Sequence, residues 1–230
     1  MANTTQLIAV LDLDTREQAQ SAIHAIGDCG WVKIGFQLFT RCGPPVVEDA
    51  LSMGKQVFLD LKFHDIPNTV AKAARAGAEL GASFMTVHAA GGRQMIAAAR
   101  EAVEGTNARL LAVTVLTSLS DDELRDEIGL QETAAEVVPR WAGMAIDAGA
   151  HGIVCSPREI EAVRAAIGPE PAIVTPGVRP AWAGKDDQKR VMTPREAAMA
   201  GANFVVVGRP IFAHESPPHA VRMIQEELQG

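Results

Sequence analysis

The chain has 230 residues, of which 47% are hydrophobic, and its formal net charge is -7. This composition is typical of a globular protein with a large core and excludes a disordered chain. The negative charge argues against a nucleic-acid surface, and no apolar run approaches the roughly 20 residues that span a membrane. The N-terminal sequence MANTTQ lacks the basic and apolar regions of a signal peptide, and the three cysteines are widely spaced. We therefore expect a cytoplasmic protein with reduced thiols and with neither a membrane nor a nucleic-acid partner.

Strand-like and helix-like segments alternate along the whole chain. The predicted strands cover residues 7–13, 31–36, 56–64, 84–89, 109–116, 152–155, 172–178 and 204–207. The predicted helices begin near residues 15 and 157 and cover residues 44–52, 67–81, 91–104, 121–127, 132–148, 193–199 and 217–228. About eight strand–helix units without a long hairpin predict a parallel sheet that is covered by helices.

This number of units fits a closed (β/α)8 TIM barrel, and we expect a single barrel domain over residues 1–230. In such a barrel the active site lies at the C-terminal ends of the strands. An open, doubly wound sheet is the alternative arrangement of the same alternating units.

The third predicted strand, with the sequence QVFLDLKFH from residue 56, carries charges where a buried face is expected. A period of two gives one apolar face with Val57, Leu59, Leu61 and Phe63, and a second face with Gln56, Phe58, Asp60, Lys62 and His64. Burying charges is unfavourable unless they are paired or have a function. The second face is therefore a candidate for chemistry.

The first two strands add charges to the same side. Asp12 ends the first strand, and Lys33 in the second strand lies opposite an apolar face. Because the apolar faces can pack on helices, we expect Asp12, Lys33, Asp60 and Lys62 to meet inside the barrel, where opposite charges keep each other ionised. A purely structural ion-pair network is the alternative.

The end of the eighth strand has the features of a phosphate site. Gly208 allows a close approach of the backbone to a ligand, and Arg209 offers a forked donor for phosphate. Phosphate sites after strands seven and eight recur in this fold. The polar, glycine-bearing loop 179–192 is long enough to act as a closing lid. A surface arginine and a solvated loop are the alternative.

Two histidines suggest a metal hypothesis. His64 and His88, beside Asp60 and Asp65, could bind a divalent ion at the barrel mouth. The two ammonium groups that are expected in the same pocket disfavour a cation there. We therefore expect no metal, and histidines that serve packing.

The sequence from Asp60 to Thr69, DLKFHDIPNT, resembles the DxKxxDIxxT signature of the orotidine 5′-phosphate decarboxylase family. Matching segments extend over essentially the whole chain: Leu11-Asp12, Lys33 within VKIG, Val87-His88-Ala89, Gly91-Gly92, LTS at 116–118, TPGVR at 175–179, Gln188 and VGRP at 207–210. The shorter DxKxxD element is shared with a wider barrel superfamily that includes a magnesium-dependent keto-gulonate phosphate decarboxylase. That relative has a carboxylate metal ligand where this chain has Lys33, so Lys33 and the Arg209 motif together favour the cofactor-free family.

The resemblance implies a cofactor-free decarboxylation of orotidine 5′-monophosphate to UMP in pyrimidine biosynthesis. It implies that Lys62 protonates C6, that Asp60 faces the substrate carboxylate, and that Lys33 and Asp65 complete an alternating network. It also implies a homodimer, in which Asp65, Ile66 and Thr69 of one subunit reach the site of the other. The further implied contacts are Asp12 and Lys33 with the ribose, Asp65 and Thr69 near the ribose, Thr117 and Ser120 with the pyrimidine, Gln188, Gly208 and Arg209 with the phosphate, Pro176 and Val178 on the pocket wall, and Arg179 at the start of the lid.

Three alternatives stay open from the residues alone. The same barrel could serve a metal-dependent sugar-phosphate lyase or epimerase, or it could bind a phosphate ligand without catalysis. Asp65 could simply be a carboxylate that is favoured by the dipole at a helix N-terminus.

Overall fold

The computed structural model describes residues 5–183 and 192–229, and strands alternate with helices throughout. The strands are β1 (Gln6–Leu11), β2 (Trp31–Gly35), β3 (Gln56–Phe63), β4 (Phe84–His88), β5 (Arg109–Val113), β6 (Gly152–Val154), β7 (Ala172–Thr175) and β8 (Phe204–Val207). The helices are α1 (Arg16–Ala25), α2 (Phe36–Cys42), α3 (Pro45–Ser52), α4 (Pro67–Glu79), α5 (Gly92–Ala102), α6 (Asp121–Asp126), α7 (Ala134–Asp147), α8 (Ile160–Ile167), α9 (Pro194–Met199), α10 (Arg209–Phe212) and α11 (Pro217–Gln229). Within the described ranges, no helix combines the length and apolarity needed to cross a membrane.

The strands form a closed parallel barrel in chain order, from β1 to β8. Closure is made by β8, which pairs in parallel with β1 through Phe204 opposite Gln6 and Val206 opposite Ile8. The predicted (β/α)8 barrel is therefore confirmed. The open-sheet alternative is wrong, because such a sheet leaves its two edge strands unpaired.

Local sequence accounts for the starts of several helices. Thr15 caps α1: its hydroxyl accepts a hydrogen bond from the Gln18 amide, and the Gln18 side chain accepts one from the Thr15 amide. Helix α4 begins at Pro67. Proline suits this position because the first N–H groups of a helix have no partner within the helix, so no hydrogen bond is lost. Both starts agree with the predictions.

Two separate hydrophobic cores hold the barrel together. The larger core lies between the strands and the helices. The interior core contains Ile8, Val10, Phe58, Phe84, Leu111, Val113, Val154, Val174, Phe204 and Val206. Trp31 stacks on Phe84 with ring centroids 4.5 Å apart and meets the Phe204 ring edge-on at 5.2 Å. These rings lie level with the start of β2, so they fill the N-terminal end of the barrel and leave polar residues to the C-terminal end.

Some element ends differ from the predictions. The strand predicted at 31–36 ends at Gly35, and Phe36 begins α2, which the sequence did not predict because seven residues are too few to show a helical repeat. β5 and β7 end at Val113 and Thr175, three residues before the predicted ends at 116 and 178. Beyond these points the chain leaves the ladder to form the barrel mouth, and Pro176 has no N–H to extend it. The one-turn helix α10 after β8 was also not predicted.

Candidate active site

Strand β3 carries its charges into the barrel and becomes irregular at its C-terminal end. Leu59 packs in the outer core and Phe58 in the interior core, so Asp60 faces inward as the alternation predicts. The register with β4 shifts between Leu59 and Phe63. Lys62 lies in this interval with φ of 43°, and in the described part of the chain no other non-glycine residue has a positive φ. An irregularity of this kind redirects side chains, and here it determines where Lys62 points.

The four charged residues predicted from strands β1 to β3 come together. Lys62 Nζ lies 2.8 Å from Asp60 Oδ2, Lys33 Nζ lies 3.6 Å from the same oxygen, and Lys33 Nζ lies 3.4 Å from Asp12 Oδ1. Asp60 is buried, whereas the Asp12 side chain is 62% exposed, so the cluster runs from the floor of the site to its mouth. A Cβ atom on Gly35 would lie only 2.7 Å from Lys33 Nζ. Glycine at this position therefore leaves room for the ammonium group.

Thr86 on β4 belongs to the same cluster, although no charge or motif in the sequence distinguishes it. Its side chain is fully buried. Its Oγ1 donates a hydrogen bond to Asp60 Oδ1 at 3.0 Å and accepts one from the Lys62 amide at 2.8 Å. The alternation of β4 could have located it, because Phe84, two residues earlier, lies inside the barrel.

A mostly apolar pocket of about 210 Å³ lies next to the charged cluster. Its lining consists of Lys33, Phe58, Asp60, Lys62, Val113, Val115, Leu116, Thr117, Val154, Cys155, Pro176 and Val206. Thr117 and Pro176 are thus in the predicted pocket. Val178, predicted on the same wall, instead packs in the outer core, since its backbone forms a bridge with Met192. Burial raises the pKa of the Cys155 thiol, so this wall carries no thiolate charge.

His64 and His88 form a stacked pair at the mouth, with ring centroids 5.3 Å apart. The Nδ1 atom of His88 accepts a hydrogen bond from the Ala90 amide at 3.3 Å. Burial, followed by the charges of His64 and Lys62, lowers the pKa of His88. Within residues 5–183 and 192–229, no three His, Cys, Asp or Glu side chains are grouped as metal ligands. A packing role for the two histidines stays a prediction.

Asp65, Ile66 and Thr69 lie outside the charged cluster of their own chain. Asp65 Oδ1 accepts a hydrogen bond from the Ile66 amide at 2.6 Å, at the start of α4. All three residues are exposed, and Ile66 is 66% exposed although it is apolar. The predicted Lys-Asp-Lys-Asp network is thus represented within one chain by Lys33, Asp60 and Lys62.

Two of the predicted phosphate residues, Gly208 and Arg209, lie at the end of β8. Arg209 is exposed and begins α10, and Gly208 precedes it. A Cβ atom on Gly208 would lie 3.1 Å from Val10 Cβ, so a larger residue would crowd β1. Arg179 is only 7% exposed, and its amide donates to the Met192 carbonyl at 2.9 Å. Gln188 and residues 184–191 of the predicted lid lie outside the described residues.

Ser120, predicted at the pyrimidine, has a structural partner. Its hydroxyl donates to Glu123 Oε2 at 2.7 Å and accepts from the Glu123 amide at 3.3 Å, which completes a capping box at the start of α6. The hydrogen bond that the Ser120 amide donates to the Glu123 carboxylate, followed by the one from the Ser120 hydroxyl, lowers the pKa of Glu123. A contact between Ser120 and a ligand stays a prediction.

The fold and the site together define a (β/α)8 barrel with a charged cluster and an apolar pocket at the carboxyl ends of its strands. Comparison with known proteins gives the family: residues 5–224 match the model of the orotidine 5′-phosphate decarboxylase / HUMPS family. The chain belongs to this family.

Individual relatives match over nearly the full length. The chain is 52% identical to the orotidine 5′-phosphate decarboxylase of Heliobacterium modesticaldum, over 97% of this chain and 95% of the relative. It is 48% identical to the protein of the same name from Saccharophagus degradans, over 97% and 94% of the two chains. The crystal structure of orotidine 5′-phosphate decarboxylase from Lactobacillus acidophilus superposes with a TM-score of 0.88 at 41% identity, covering 98% of this chain and all of the other.

Proposed function

We propose that this protein decarboxylates orotidine 5′-monophosphate to UMP and carbon dioxide, without a cofactor, in de novo pyrimidine biosynthesis. The observation that carries the proposal is the cluster in which the buried Asp60 pairs with Lys62 and Lys33 beside an apolar pocket. An ammonium group next to an apolar pocket is suited to a ring carbanion. The relatives that match over nearly the full length of this chain are named orotidine 5′-phosphate decarboxylase.

Lys62 is the proton donor in this proposal. When the bond between C6 and the carboxyl carbon breaks, carbon dioxide leaves and the electron pair stays on C6, in the plane of the ring, where no carbonyl can delocalise it. The Lys62 ammonium stabilises this charge and donates its proton to form the C6–H bond, which leaves a neutral amine that solvent reprotonates. A preorganised donor of this kind lowers the activation free energy by about 3 kcal/mol.

Asp60 holds Lys62 in place and opposes the substrate carboxylate. Its Oδ2 accepts from Lys62 Nζ at 2.8 Å, which keeps the ammonium near the carboxylate that will be lost. A second negative charge beside the substrate carboxylate disfavours the bound ground state, and the repulsion ends when neutral carbon dioxide leaves. Lys33, held between Asp12 and Asp60, balances the charge of the cluster.

The remaining site residues bind the nucleotide. In the proposal the ribose contacts are Asp12 and Lys33, the pyrimidine contacts are Thr117 and Ser120, and the phosphate contacts are Gln188, Gly208 and Arg209. Pro176 lines the pocket, and Arg179 begins the lid. The phosphate is remote from C6, so its binding energy can be used to close the loop over the substrate and to exclude water.

A homodimer completes the site in this proposal. Asp65, Ile66 and Thr69 would reach the neighbouring site, with Asp65 and Thr69 near the ribose. The exposure of these three residues supports this role, since a 66% exposed isoleucine beside an active-site strand is suited to an interface. We further propose that the whole chain is one domain and acts in the cytoplasm.

One experiment separates this function from its alternatives. Orotidine 5′-monophosphate is mixed with micromolar protein, and its ultraviolet absorbance is followed with and without excess EDTA. We expect the spectrum to convert to that of UMP at the same rate in both samples. An unchanged spectrum contradicts the decarboxylase, and a rate lost in EDTA and restored by magnesium indicates the metal-dependent alternative.

A further inference from the structure

Strands β3 and β4 are mismatched where Lys62 lies. Leu59 is paired with Met85 and Phe63 with Val87, so three residues of β3 stand opposite the single residue Thr86 of β4. The backbone of Lys62 adopts the left-handed conformation in this interval. A residue of this size adopts that conformation only when its surroundings stabilise it.

The hydroxyl of Thr86 links the backbone of Lys62 to the carboxylate of Asp60 across this mismatch. It accepts the hydrogen bond of the Lys62 amide at 2.8 Å and donates its own proton to Asp60 Oδ1 at 3.0 Å. The other carboxylate oxygen of Asp60 binds Lys62 Nζ at 2.8 Å. Lys62 is thus held at its backbone and at its ammonium group by one closed ring of three hydrogen bonds.

We propose that Thr86 is a positioning residue for the proton donor Lys62, a role that rests on the proposed decarboxylase function. Thr86 lies outside the pocket lining and acts only through Asp60 and Lys62. Its hydroxyl stabilises the left-handed backbone conformation of Lys62. The same hydroxyl orients the Asp60 carboxylate, which binds the Lys62 ammonium group. A displacement of either the Lys62 backbone or the Asp60 carboxylate moves the ammonium group away from C6.

The chemistry of the position explains why threonine suits it. The ring needs one atom that is acceptor and donor at once, and among side chains of this size a hydroxyl provides both. The site is fully buried, so water does not replace the lost group. The branched Cβ restricts χ1 and keeps the hydroxyl aimed at β3.

The test compares three variants of the full-length protein. Thr86→Val keeps the shape and removes the hydroxyl, Thr86→Ser keeps the hydroxyl, and Thr114→Val is the matched control. Thr114 is also fully buried, but its hydroxyl donates to a neutral backbone group, the Val154 carbonyl, at 3.1 Å. The measurements are kcat and KM for orotidine 5′-monophosphate, the Kd of UMP, and the thermal unfolding midpoint.

We expect Thr86→Val to lower kcat by about 10- to 100-fold, because a displacement of a catalytic group by about 1 Å has effects of this size. KM and the Kd of UMP should stay within about threefold, since no ligand contact is removed. Thr86→Ser should recover kcat to within about threefold of the wild-type value, because it restores both hydrogen bonds. Thr114→Val should keep the wild-type kcat.

Three outcomes would overturn the proposal: a Thr86→Val protein with wild-type kcat, a Thr86→Ser protein as slow as Thr86→Val, or a Thr114→Val protein that loses as much kcat as Thr86→Val at a similar unfolding midpoint. If Thr86→Val does not fold, the comparison of Thr86→Ser with Thr86→Ala at a temperature where both are folded replaces it, with the same expected order. A wild-type protein that fails to convert the substrate contradicts the decarboxylase function itself, so the two failures are distinct.

Discussion

Lys62 Nζ and Asp60 Oδ2 lie 2.8 Å apart in the lining of the pocket, on side chains two positions apart along β3. The same oxygen lies 3.6 Å from Lys33 Nζ, and the other carboxylate oxygen accepts from Thr86. The carboxylate is therefore surrounded by donors on both oxygens. Removing this charge takes the acidic partner from Lys62 and leaves Lys33 paired with Asp12 at the exposed mouth.

The first prediction concerns Asp60→Asn, which keeps the size of the side chain and removes its charge. We expect kcat for orotidine 5′-monophosphate to fall by about 100-fold or more, because an amide group cannot accept from both lysines and hold the ammonium in place. KM should not rise, because the substrate carboxylate no longer faces a negative charge. Steady-state kinetics over a range of substrate concentrations measures both values.

Asp49→Asn is the matched control for this substitution. Asp49 also accepts hydrogen bonds, from Arg16 and Gln20, but it lies on the outer side of the barrel in α3. Its variant should keep the wild-type kcat. An Asp60→Asn protein with kcat within about threefold of the wild type would refute the role of this carboxylate.

The second prediction concerns Lys62→Ala. Since the variant has neither the proton donor nor the ammonium charge, we expect kcat to fall by at least about 10³-fold. The affinity for UMP should change much less, because phosphate and ribose contacts remain. Lys55→Ala is the control: its ammonium binds the carbonyls of Gly27 and Cys29 outside the pocket, and its loss should leave kcat unchanged. Normal turnover by Lys62→Ala would exclude it as the proton donor.

The sequence predicted those parts of the site that depend on local pattern. Period-two alternation located Asp60 and Lys33 correctly, and turn chemistry located the start of α4 at Pro67. The left-handed turn at Lys62 and the role of Thr86 could not be read in this way, because both depend on how β4 is aligned with β3. That alignment is a relationship between residues 24 positions apart, as the hydrogen bond from the Lys62 amide to Thr86 shows.

The ends of the elements at the barrel mouth were the least predictable part of the fold. Phe36 fits a strand by its aromatic character, yet it begins α2 and places its ring 5.6 Å from Lys62 Nζ. Functional loops leave the regular ladder at these points, so local preference no longer decides the conformation.

The third prediction tests whether Asp65 acts in the neighbouring site. Lys62→Ala and Asp65→Asn proteins, each weakly active alone, are mixed under conditions that allow subunits to exchange. If Asp65 is contributed by the partner, a mixed dimer has one site with both substitutions and one site with neither. Random exchange of equal amounts then restores about a quarter of all sites to wild-type activity.

Activity after mixing is measured against the sum of the two separate samples. A mixture that shows only this sum, after exchange has been verified with tagged subunits, indicates that Asp65 serves its own chain or no site. Arg125→Ala in place of Asp65→Asn is the control, since Arg125 pairs with Asp122 and Asp126 on the exposed face of α6. Its mixture with Lys62→Ala should show no gain beyond the sum.

The fourth prediction concerns the phosphate. Arg209→Ala should lower kcat/KM for orotidine 5′-monophosphate by about 10- to 100-fold, the size of a hydrogen bond to a charged group. It should change kcat/KM for orotidine, which has no phosphate, by less than about threefold. Arg222→Ala, at an exposed position on α11, is the control for the loss of an arginine. An equal loss on both substrates would contradict a phosphate contact.

The fifth prediction concerns the pH dependence of stability and rests on His88. Burial, and then the charges of His64 and Lys62, lower the pKa of His88 in the folded protein below its usual value near 6.5. Below about pH 6.5 the unfolded chain therefore binds a proton that the folded protein does not, and the free energy of unfolding decreases as the pH falls toward the folded pKa. Above about pH 6.5 both states hold His88 neutral, so its full contribution is present there.

His88→Asn removes this titration. The asparagine side chain can still accept the hydrogen bond that the Ala90 amide donates to His88 Nδ1 in the wild-type protein. Denaturant unfolding at pH 7.5 and 5.5, at one protein concentration, gives the loss of stability for each protein. When the pH falls from 7.5 to 5.5, we expect the free energy of unfolding to decrease more for the wild-type protein than for the variant. The difference should be less than about 1 kcal/mol, because the His88 ring is only partly shielded from solvent. His151, which has a lowered pKa for a similar reason, is common to both proteins and cancels in the difference. Equal losses in the two proteins would mean that His88 is equally protonated in the folded and unfolded states.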